Sequence, residues 1–295
     1  MSSAEDAGSV LVTGACGHVG HAVSDILRST GRQIVPIDVD GGFTRDVVLC
    51  DLTSRNEVER LFHTHSIRTV IHLAGVLPSA FQSDPLRGAD VNLVGSLALL
   101  RQAANAGVKR FVFASSMSVY GSSATLRPLT EDDPAAPDEP YGAAKRAIEL
   151  IGESLRNRMA FQFVALRIAR VVGPGIRKTS SPWRSQIFEL SRQASIHIPF
   201  SPEARLSLVH VIEVARMIVT LIDSARMSST IYNTPAETLK AQKLKQIVEE
   251  SRGIFVELTG GASEGGPTCD GGRFTREFGF KLRGIRDHLS DSKGH

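Results

Sequence analysis

The sequence is poor in cysteine and lacks a metal-binding pattern. Its three cysteines, Cys16, Cys50 and Cys269, lie far apart along the chain. An odd number at such spacings indicates a reducing compartment and excludes a disulfide framework or a zinc site. His63 and His65 resemble a metal pair only in their spacing, because no cluster of carboxylates accompanies them. We therefore expect no bound metal.

Basic runs and long apolar stretches are also missing. The chain has no lysine-rich or arginine-rich run and no basic stripe interleaved with aromatic residues, so nucleic acid is not an expected partner. No apolar stretch approaches the length of a membrane span. The first eight residues, MSSAEDAG, are polar and typical of a loose tail, not of a signal peptide. We expect a cytoplasmic protein with no membrane partner.

The composition that remains is that of an ordinary globular protein. The 295 residues are 42% hydrophobic and 22% charged, with a mild formal net charge of +3. A chain of this length and apolar content can bury a full core, as one large domain or two smaller ones.

Short β-rich runs alternate with helical periodicity through about residue 172. The predicted strands cover 9–14, 33–38, 46–50, 69–75, 110–116 and 161–169, and the predicted helices cover about 19–30, 54–64, 88–106 and a segment from Tyr141. Strands that alternate with helices of this length predict an α/β fold. We expect a Rossmann-type, doubly wound parallel sheet with helices on both faces.

The pattern becomes shorter and less regular after Gly173. Helices are predicted near 183–194, 210–224 and 238–251, with a glycine-rich loop at 263–272. We therefore predict a Rossmann cofactor domain over residues 1–172 and a smaller, irregular substrate-binding lobe over residues 173–295. Within the lobe, residues of about 206–233 are expected to pack back on the first domain.

The first predicted strand leads into a glycine-rich turn, TGACGHVG, that opens a predicted helix. Gly14, Gly17 and Gly20 are spaced by three, in the context that a dinucleotide-binding fingerprint requires. Glycines let the backbone approach a pyrophosphate, and the helix N-terminus favours its negative charge. The turn therefore predicts a dinucleotide site, although glycines alone also serve packing.

Asp38 closes the second predicted strand, 18 residues after Gly20. A carboxylate at this place accepts hydrogen bonds from the adenosine ribose hydroxyls and repels a 2′-phosphate. No arginine follows it directly, so NAD is favoured over NADP, with Asp40 as the competing carboxylate. Asp51, after the third strand, is predicted either to meet the adenine or to cap a helix.

Later motifs complete a resemblance to a known family. After TGACGHVG and DLTSRNEV come HLAG at 72–75, VNLVGS at 91–96, ASSMSVYG at 114–121, YGAAK at 141–145, ALRIARVVGPG at 165–175 and LVHVIEVA at 208–215. Together they resemble the extended short-chain dehydrogenase/reductase family, the NAD-dependent sugar epimerases and dehydratases, and especially the UDP-sugar 4-epimerases. The resemblance covers nearly the whole chain. It implies NAD as the cofactor and a homodimer formed by the helices near 88–106 and 141–158.

The resemblance also implies three catalytic residues. Tyr141 is expected to be the acid/base, Lys145 to bind the cofactor ribose and lower the pKa of the tyrosine, and Ser116 to hydrogen-bond the substrate oxygen. Residues four apart on a helix share one face, which suits the Tyr141–Lys145 spacing. An unperturbed phenol has a pKa near 10, so it needs nearby positive charge to act as a base at neutral pH.

The other site residues follow from the same motifs. Cofactor contacts are expected from Gly14, Cys16, Gly17, His18, Val19, Gly20, Asp38, Asp51, Leu52, Leu73, Ala74, Gly75 and Asn92, in addition to Tyr141 and Lys145. Substrate contacts are expected from Val76, Ser116, Ser118, Arg170, Arg177 and Arg184. Packing alternatives stay open for His18, as an ordinary helix residue, and for Asn92, as a polar contact inside its helix.

The residues after Ser116 reduce the number of reaction types expected for this chain. The sugar-nucleotide dehydratases of this family carry acidic residues there, whereas this chain has Met117 and Ser118. A 4,6-dehydratase is therefore disfavoured, and overall similarity favours an epimerase that acts through a keto intermediate. The alternatives are a sugar or uronate dehydrogenase that releases NADH and a non-catalytic NAD-binding sensor. Retention of Ser116, Tyr141 and Lys145 argues against the sensor.

The expected substrate is anionic. Basic residues cluster in the segment predicted to line the cleft, namely Arg170, Arg177, Lys178, Arg184 and Arg205. Arginine recognises phosphate or carboxylate through paired hydrogen bonds, which favours a nucleotide diphosphate or a uronate-like carboxylate. Epimerases usually carry Asn at the position of Arg170, and the lobe is short for a complete nucleotide-sugar site, so both features favour a smaller substrate. Trp183 is expected to pack the lobe.

Overall fold

The computed structural model describes residues 8–42, 46–123, 125–156, 161–175, 181–189, 195–261 and 265–291. Its strands are β1 (Ser9–Thr13), β2 (Ile34–Asp38), β3 (Val48–Leu49), β4 (Ile67–His72), β5 (Arg110–Ser116), β6 (Gln162–Ile168), β7 (Arg170–Val172), β8 (Ser195–Ile198), β9 (Arg205–His210), β10 (Ile231–Asn233), β11 (Glu237–Lys240) and β12 (Phe255–Leu258). Its α-helices are α1 (His18–Ser29), α2 (Arg55–Thr64), α3 (Pro78–Ser83), α4 (Pro85–Ala89), α5 (Ser96–Asn105), α6 (Pro140–Arg156), α7 (Trp183–Gln186), α8 (Val211–Asp223), α9 (Ala241–Arg252), α10 (Gly272–Phe278) and α11 (Ile285–Asp291). Across these ranges, no helix is long and apolar enough to span a membrane.

In the described part of the chain, seven strands form one parallel sheet in the order β10-β6-β5-β4-β1-β2-β3. Strand order reverses between β1 and β4, and sheets of this kind bind ligands at the carboxyl ends of the strands at such a point. The prediction of a Rossmann-type, doubly wound parallel sheet is confirmed.

Helices cover both faces of this sheet, because successive strand residues point to opposite sides. Leu11 and Phe111 belong to the core beneath α2, α5 and α6, whereas their neighbours Val12 and Val112 belong to the core beneath α1 and α8. Burial on both faces explains why these strands read as continuous apolar runs.

The lobe has its own sheets and core. β11, β9 and β7 form a three-stranded sheet in which β9 is antiparallel to β11 and parallel to β7, and β8 pairs in parallel with β12. Trp183 is 1% exposed and packs in a separate cluster with Leu244 and Val256. The prediction that Trp183 packs the lobe is confirmed.

Three predicted helices have different bounds in the structure. The helix over 88–106 is interrupted, because a π-helical turn at Asp90–Gly95 separates α4 from α5. The helix near 183–194 is reduced to α7 among the described residues, and 195–198 pair as β8. The start of the 238–251 helix is instead β11, which pairs with β9. Pairing with the distant strand β9 overrides local periodicity at the start of this last helix.

Part of the lobe sequence returns to the first sheet. α8 packs along α1, and β10 pairs in parallel with β6 at the sheet edge. Both elements lie within the segment of about 206–233 that was expected to pack back, while the division of the chain at residue 172 stays a prediction.

Candidate active site

A cavity of about 1600 Å³ lies at the carboxyl ends of β1, β4 and β5 and extends into the lobe. Its walls include nearly all of the predicted site residues: Gly14, Cys16, Gly17, His18, Val19, Gly20, Asp38, Asp51, Leu52, Leu73, Ala74, Gly75, Val76, Ser116, Ser118, Tyr141, Lys145, Arg170 and Arg184. Arg177 lies outside the described residues. The fold therefore brings the predicted cofactor and substrate residues together, and their individual roles stay predictions.

The first turn, after β1, has glycines without side chains where a ligand could approach the backbone closely. Gly14 has a φ of +67°, a left-handed conformation that strains any side chain. A Cβ atom on Gly20 would stand 2.0 Å from the Gly14 carbonyl oxygen, and a Cβ atom on Gly14 would stand 2.7 Å from the amide nitrogen of Ala74. α1 begins at His18, so its unpaired N–H groups lie at this turn. The turn and the helix N-terminus together fit a pyrophosphate.

Asp38 joins the first turn to the end of β2. One carboxylate oxygen accepts a hydrogen bond from the backbone N–H of Cys16 at 3.0 Å, and the other accepts one from Val39 at 2.8 Å. Asp38 also lines the cavity, and a carboxylate has further lone pairs that can accept hydrogen bonds from a ligand. The competing Asp40 also borders the cavity but is exposed. The geometry favours Asp38 as the ribose-binding carboxylate.

Asp51 is not a helix cap, because Ser54 occupies the N-cap position of α2. Oδ1 of Asp51 accepts hydrogen bonds from the backbone N–H and the hydroxyl of Thr53 at 2.9 and 2.7 Å. Oδ2 lies 3.7 Å from the Arg87 guanidinium. The capping alternative is therefore wrong, and contact with adenine stays a prediction.

Residues 73–76 form a wall of the cavity that is held at both ends. At its start, the Thr13 hydroxyl accepts hydrogen bonds from the first two backbone N–H groups at 3.2 and 3.1 Å. At its end, the Asn92 side chain bonds the backbone of Val76, accepting from its N–H at 2.7 Å and donating to its carbonyl at 2.9 Å. Asn92 is buried behind the wall and does not line the cavity. Asn92 thus supports the wall through the backbone of Val76, and its expected contact with the cofactor stays a prediction.

β5 and α6 bring the three predicted catalytic residues to one wall. Ser116 is the last residue of β5, and its hydroxyl donates to that of Ser118 at 3.2 Å. Tyr141 and Lys145 lie one turn apart on α6, with the ammonium nitrogen 5.8 Å from the phenol ring centroid. Lys145 donates to the carbonyl of Ala114 at 2.8 Å. The shared helix face predicted from YGAAK is confirmed.

The Tyr141 phenol is difficult to ionise. Burial raises its pKa to about 12, while the Ser116 hydroxyl acts in the opposite direction. Phe81 packs edge-on against the ring, with centroids 6.3 Å apart. The Lys145 ammonium donates to the Ala114 carbonyl and not to the phenol, and burial has the largest effect on the pKa of Tyr141, so the role expected of Lys145 in lowering that pKa stays a prediction. Ionisation of Tyr141 therefore requires further positive charge at the site.

Lys145 is itself buried, with 5% of its surface exposed. Burial lowers the pKa of the ammonium to about 8, and Glu149 on the next turn of α6 raises it. The Phe113 ring lies beneath the nitrogen, 4.8 Å from it at the centroid. Lys145 is therefore charged at neutral pH and loses its proton at mildly alkaline pH.

Two arginines face the lobe end of the cavity, and neither has an acidic partner among the described residues. Arg170 donates to the Gly265 carbonyl at 2.9 Å and lies over the Phe200 ring, 4.6 Å from its centroid. Nε of Arg184 is buried and makes no hydrogen bond to the described residues. Burial and then repulsion by Arg184 lower the pKa of Arg170 to about 10, and burial lowers the pKa of Arg184. Two half-buried cations without a counter-charge among the described residues favour an anionic ligand.

Arg205, the other described member of the predicted basic cluster, does not line the cavity. Arg205 is exposed at the start of β9, where it donates to the Leu126 carbonyl at 3.4 Å. Arg177 and Lys178 fall outside the described residues. Among the described residues, the members of the predicted basic cluster that line the cavity are Arg170 and Arg184.

Some residues at the lobe end were not predicted. Phe200, Gly265, Gly266 and Pro267 line the cavity there. Gly265 and Gly266 have φ values of +86° and +85°, which only glycine adopts without strain. Their cluster in the loop at 263–272 was a usable signal, whereas Phe200 has none in its local sequence.

Metal-ligand geometry is not found in the described ranges. No group of three or more His, Cys, Asp or Glu side chains there could hold a metal ion. His63 is exposed on α2 and His65 is half-buried just beyond it.

The chain is similar to proteins of one family over most of its length. Residues 10–234 match the family described as NAD dependent epimerase/dehydratase. A UDP-glucose 4-epimerase from Halalkalibacterium halodurans is 32% identical over 171 residues, which cover 56% of this chain and 51% of that protein. The chain thus spans about half the length of the curated relatives it matches.

Solved structures resemble nearly the whole chain. MoeE5 in complex with UDP-glucuronic acid and NAD has a TM-score of 0.80 at 28% identity, covering 96% of this chain and 97% of that one. L-threonine dehydrogenase from Phytophthora infestans has a TM-score of 0.88 at 19% identity, covering 96% and 97%, a likeness that shows the fold alone. Proteins named for different reactions share this fold, so the reaction has to be argued from the site.

Proposed function

This chain belongs to the NAD-dependent epimerase/dehydratase family, and we propose that it is a 4-epimerase of nucleotide sugars, with UDP-sugars as substrates. One observation carries the proposal: a single cavity is lined both by the glycine turn and by Ser116, Tyr141 and Lys145. Hydride transfer needs the cofactor and the substrate alcohol side by side. The volume of about 1600 Å³ exceeds the roughly 300–1,000 Å³ of a pocket for one small ligand, which supports simultaneous binding of both.

The residues present fit NAD. The glycine turn and the start of α1 would hold the pyrophosphate, Asp38 the adenosine ribose, and Lys145 the second ribose. When bound, NAD supplies a hydride acceptor that later returns the hydride. The Asp38 carboxylate supports a free ribose 2′-hydroxyl and so NAD over NADP.

Tyr141 would remove the proton of the substrate hydroxyl and return it in the reverse step. Ser116 would hold the same oxygen by a hydrogen bond. The Lys145 ammonium, charged below about pH 8, contributes positive charge that favours the phenolate. An epimer results when the keto intermediate rotates and is reduced on its other face.

The substrate would be held by its negative charge. Arg170 and Arg184 are half-buried at the lobe end without an acidic partner in the described ranges, and a diphosphate between sugar and nucleoside would neutralise both. The similarity to UDP-glucose 4-epimerases supports the same substrate class.

A sugar or uronate dehydrogenase that releases NADH is the second candidate. Arg170 stands where epimerases of this family usually carry Asn, and a guanidinium there suits a sugar carboxylate. The likeness to MoeE5, which is solved with UDP-glucuronic acid, also supports an acidic sugar.

Two measurements on the purified protein test the proposal. Denaturation followed by mass spectrometry would quantify retained NAD⁺ and NADH, and a panel of UDP-sugars and free uronates would then be assayed. Near-stoichiometric nucleotide and interconversion of UDP-glucose and UDP-galactose without net NADH are expected. Accumulation of NADH with uronates would favour the dehydrogenase instead. A protein that neither retains nor binds NAD would contradict both candidates.

We also propose a homodimer formed through α5 and α6. Apolar side chains are exposed on or just before these helices, with Val94 at 53%, Leu150 at 50% and Ile151 at 38% exposure, and such patches favour protein contacts. Light scattering should give the dimer mass for the wild type and the monomer mass for Leu150→Glu. A wild-type monomer at assay concentration would contradict the proposal.

A further inference from the structure

Glu149 is a fully buried carboxylate on α6, one turn after Lys145. The Ser115 hydroxyl donates to its Oε1 at 2.6 Å. Arg167 donates from Nε to Oε1 at 2.9 Å and from Nη2 to Oε2 at 2.8 Å. Arg146 donates to Oε2 at 2.9 Å. The proposed reaction does not use this carboxylate directly.

The contacts of Glu149 fasten the catalytic helix to the ends of two strands. Ser115 precedes the predicted catalytic serine on β5, and Arg167 lies on β6 with 2% exposure. Arg167 also donates to the Tyr120 hydroxyl at 2.7 Å, which donates to the Thr130 carbonyl at 2.8 Å. The carboxylate thus links α6 to both strands and to the loop that precedes α6.

Glu149 also sets the charge balance around Lys145. The described groups that face Lys145 are Tyr141 and Glu149 on α6, Phe113 and a backbone carbonyl on β5, and His72 on β4. His72 is buried with both ring nitrogens hydrogen-bonded, and burial lowers its pKa to about 3, so it is neutral. Glu149 is therefore the negative charge in this group.

Two cations share that negative charge. Arg146 and Arg167 both pair with Glu149, so the three basic side chains on this side of α6 depend on one carboxylate. Without it, the buried ammonium of Lys145 would lose the negative charge that faces it among the described groups. A buried lysine in such surroundings loses its proton at lower pH.

We propose that Glu149 is a positioning residue for the reaction: its carboxylate holds the end of β5 against α6 and keeps the Lys145 ammonium charged beside Tyr141. The inference rests on the proposed function, because Glu149 acts through Lys145 and Tyr141.

The pH dependence of kcat/KM tests this role with variants of opposite sign. Glu149→Gln keeps an acceptor for Ser115 and removes the charge, so the alkaline limb of the profile should move to lower pH by about one unit. Arg146→Gln removes a half-exposed cation from the same carboxylate, so the alkaline limb should move to higher pH, by less than the shift expected for Glu149→Gln. Glu153→Gln is the matched control on the next turn, where the carboxylate accepts from the Thr230 hydroxyl at 2.9 Å, and it should leave the limb in place.

The charge of Lys145 can also be measured without turnover. The protein is labelled with ¹³C,¹⁵N-lysine, the Lys145 side-chain NMR signal is assigned by its loss in Lys145→Gln, and that signal is followed as the pH is raised. The Lys145 midpoint should fall in Glu149→Gln and rise in Arg146→Gln. Coincident midpoints in the wild type and both variants would overturn the inference, whatever the activity. If the Lys145 midpoints shift as expected but the wild-type protein turns over none of the sugars, the proposed function is refuted and the inference about Glu149 is not. If Glu149→Gln does not fold, two other variants decide the outcome. Glu149→Asp keeps the charge and should keep the alkaline limb of the wild type, and Arg146→Gln should still move that limb to higher pH.

Discussion

The two ends of the cavity are built in different ways. At the cofactor end, the wall consists of turns directly after β1, β2 and β4, and their polar groups bond one another, as Asp38 bonds Cys16. At the substrate end, Arg170 reaches Gly265, 95 residues away, and Nε of Arg184 finds no hydrogen-bond partner within the described ranges. Within the described ranges, the polar groups of the cofactor end mostly bond one another, with Nε2 of His18 as an exception. The two guanidinium groups at the substrate end have no acidic partner there, and an anionic ligand would balance their charge.

Tyr141→Phe is expected to have the largest effect on turnover. Tyr141 lies between the two ends of the cavity, and the variant should lose the chemical step while it keeps NAD binding. Loss of the acid/base should lower kcat by about 10²–10⁴-fold, with NAD binding nearly unchanged because the phenyl ring keeps its contact with Phe81. Steady-state turnover and an NAD titration check this. Unchanged turnover would contradict the assignment of Tyr141.

Gly20→Ala should damage the cofactor end alone. The added Cβ would meet the Gly14 carbonyl at 2.0 Å, so the turn must shift. We expect NAD affinity to fall by at least about tenfold and the free energy of unfolding by about 1–3 kcal/mol. Gly261→Ala is the control, because nothing lies within 4 Å of its Cβ position. NAD titration and chemical denaturation measure both quantities, and equal behaviour of the two variants would disprove the tight turn.

Arg170→Gln and Arg184→Gln should damage the substrate end alone. Loss of a charge-assisted contact to an anion is worth roughly 1.5–3 kcal/mol, so KM for the sugar should rise by about 10–100-fold while the dissociation constant for NAD is unchanged. Arg205→Gln, at an exposed position outside the cavity wall, is the matched control. A rise in KM for Arg205→Gln of the same size would break the contrast between the two ends.

The smallest expected effect on turnover is the pH dependence that Lys145 imposes. Its pKa is lowered from 10.5 to about 8, so the ammonium is present below about pH 8 and turnover should decline above it. Between these pH values the unfolded chain binds the extra proton, so this residue's contribution to the free energy of unfolding rises with pH, by up to about 3 kcal/mol. Denaturation midpoints at about pH 7 and about pH 10, compared with Lys145→Met, measure it. An equal pH response in the variant would exclude Lys145 as the source.

The cofactor end was largely predictable because its signals are local. TGACGHVG follows a strand and opens a helix, and YGAAK places Tyr141 and Lys145 on one helix face by spacing alone. Asn92 marks the limit of such reasoning. The motif VNLVGS predicts a cofactor contact, whereas the contacts of Asn92 with the backbone of Val76, made from the π-helical turn at Asp90–Gly95, became visible only in the structure.

The substrate end was predictable only in its chemistry. The sequence indicated arginines and a glycine-rich loop, yet Arg170 and Arg205 could not be told apart until β7 and β9 were paired. β11 was read as helix for the same reason, since its partner β9 lies about thirty residues earlier.

The sequence by itself determined the parallel sheet, the glycine turn and the Tyr141–Lys145 pair, because strand alternation, backbone freedom and helix periodicity are properties of neighbouring residues. Only the tertiary structure decided which charges are buried together. Arg170 beside Arg184, and Glu149 on α6 against Arg167 on β6, depend on packing between different segments of the chain. Burial in the packed site also shifts the pKa values of Tyr141 and Lys145 away from their ordinary range.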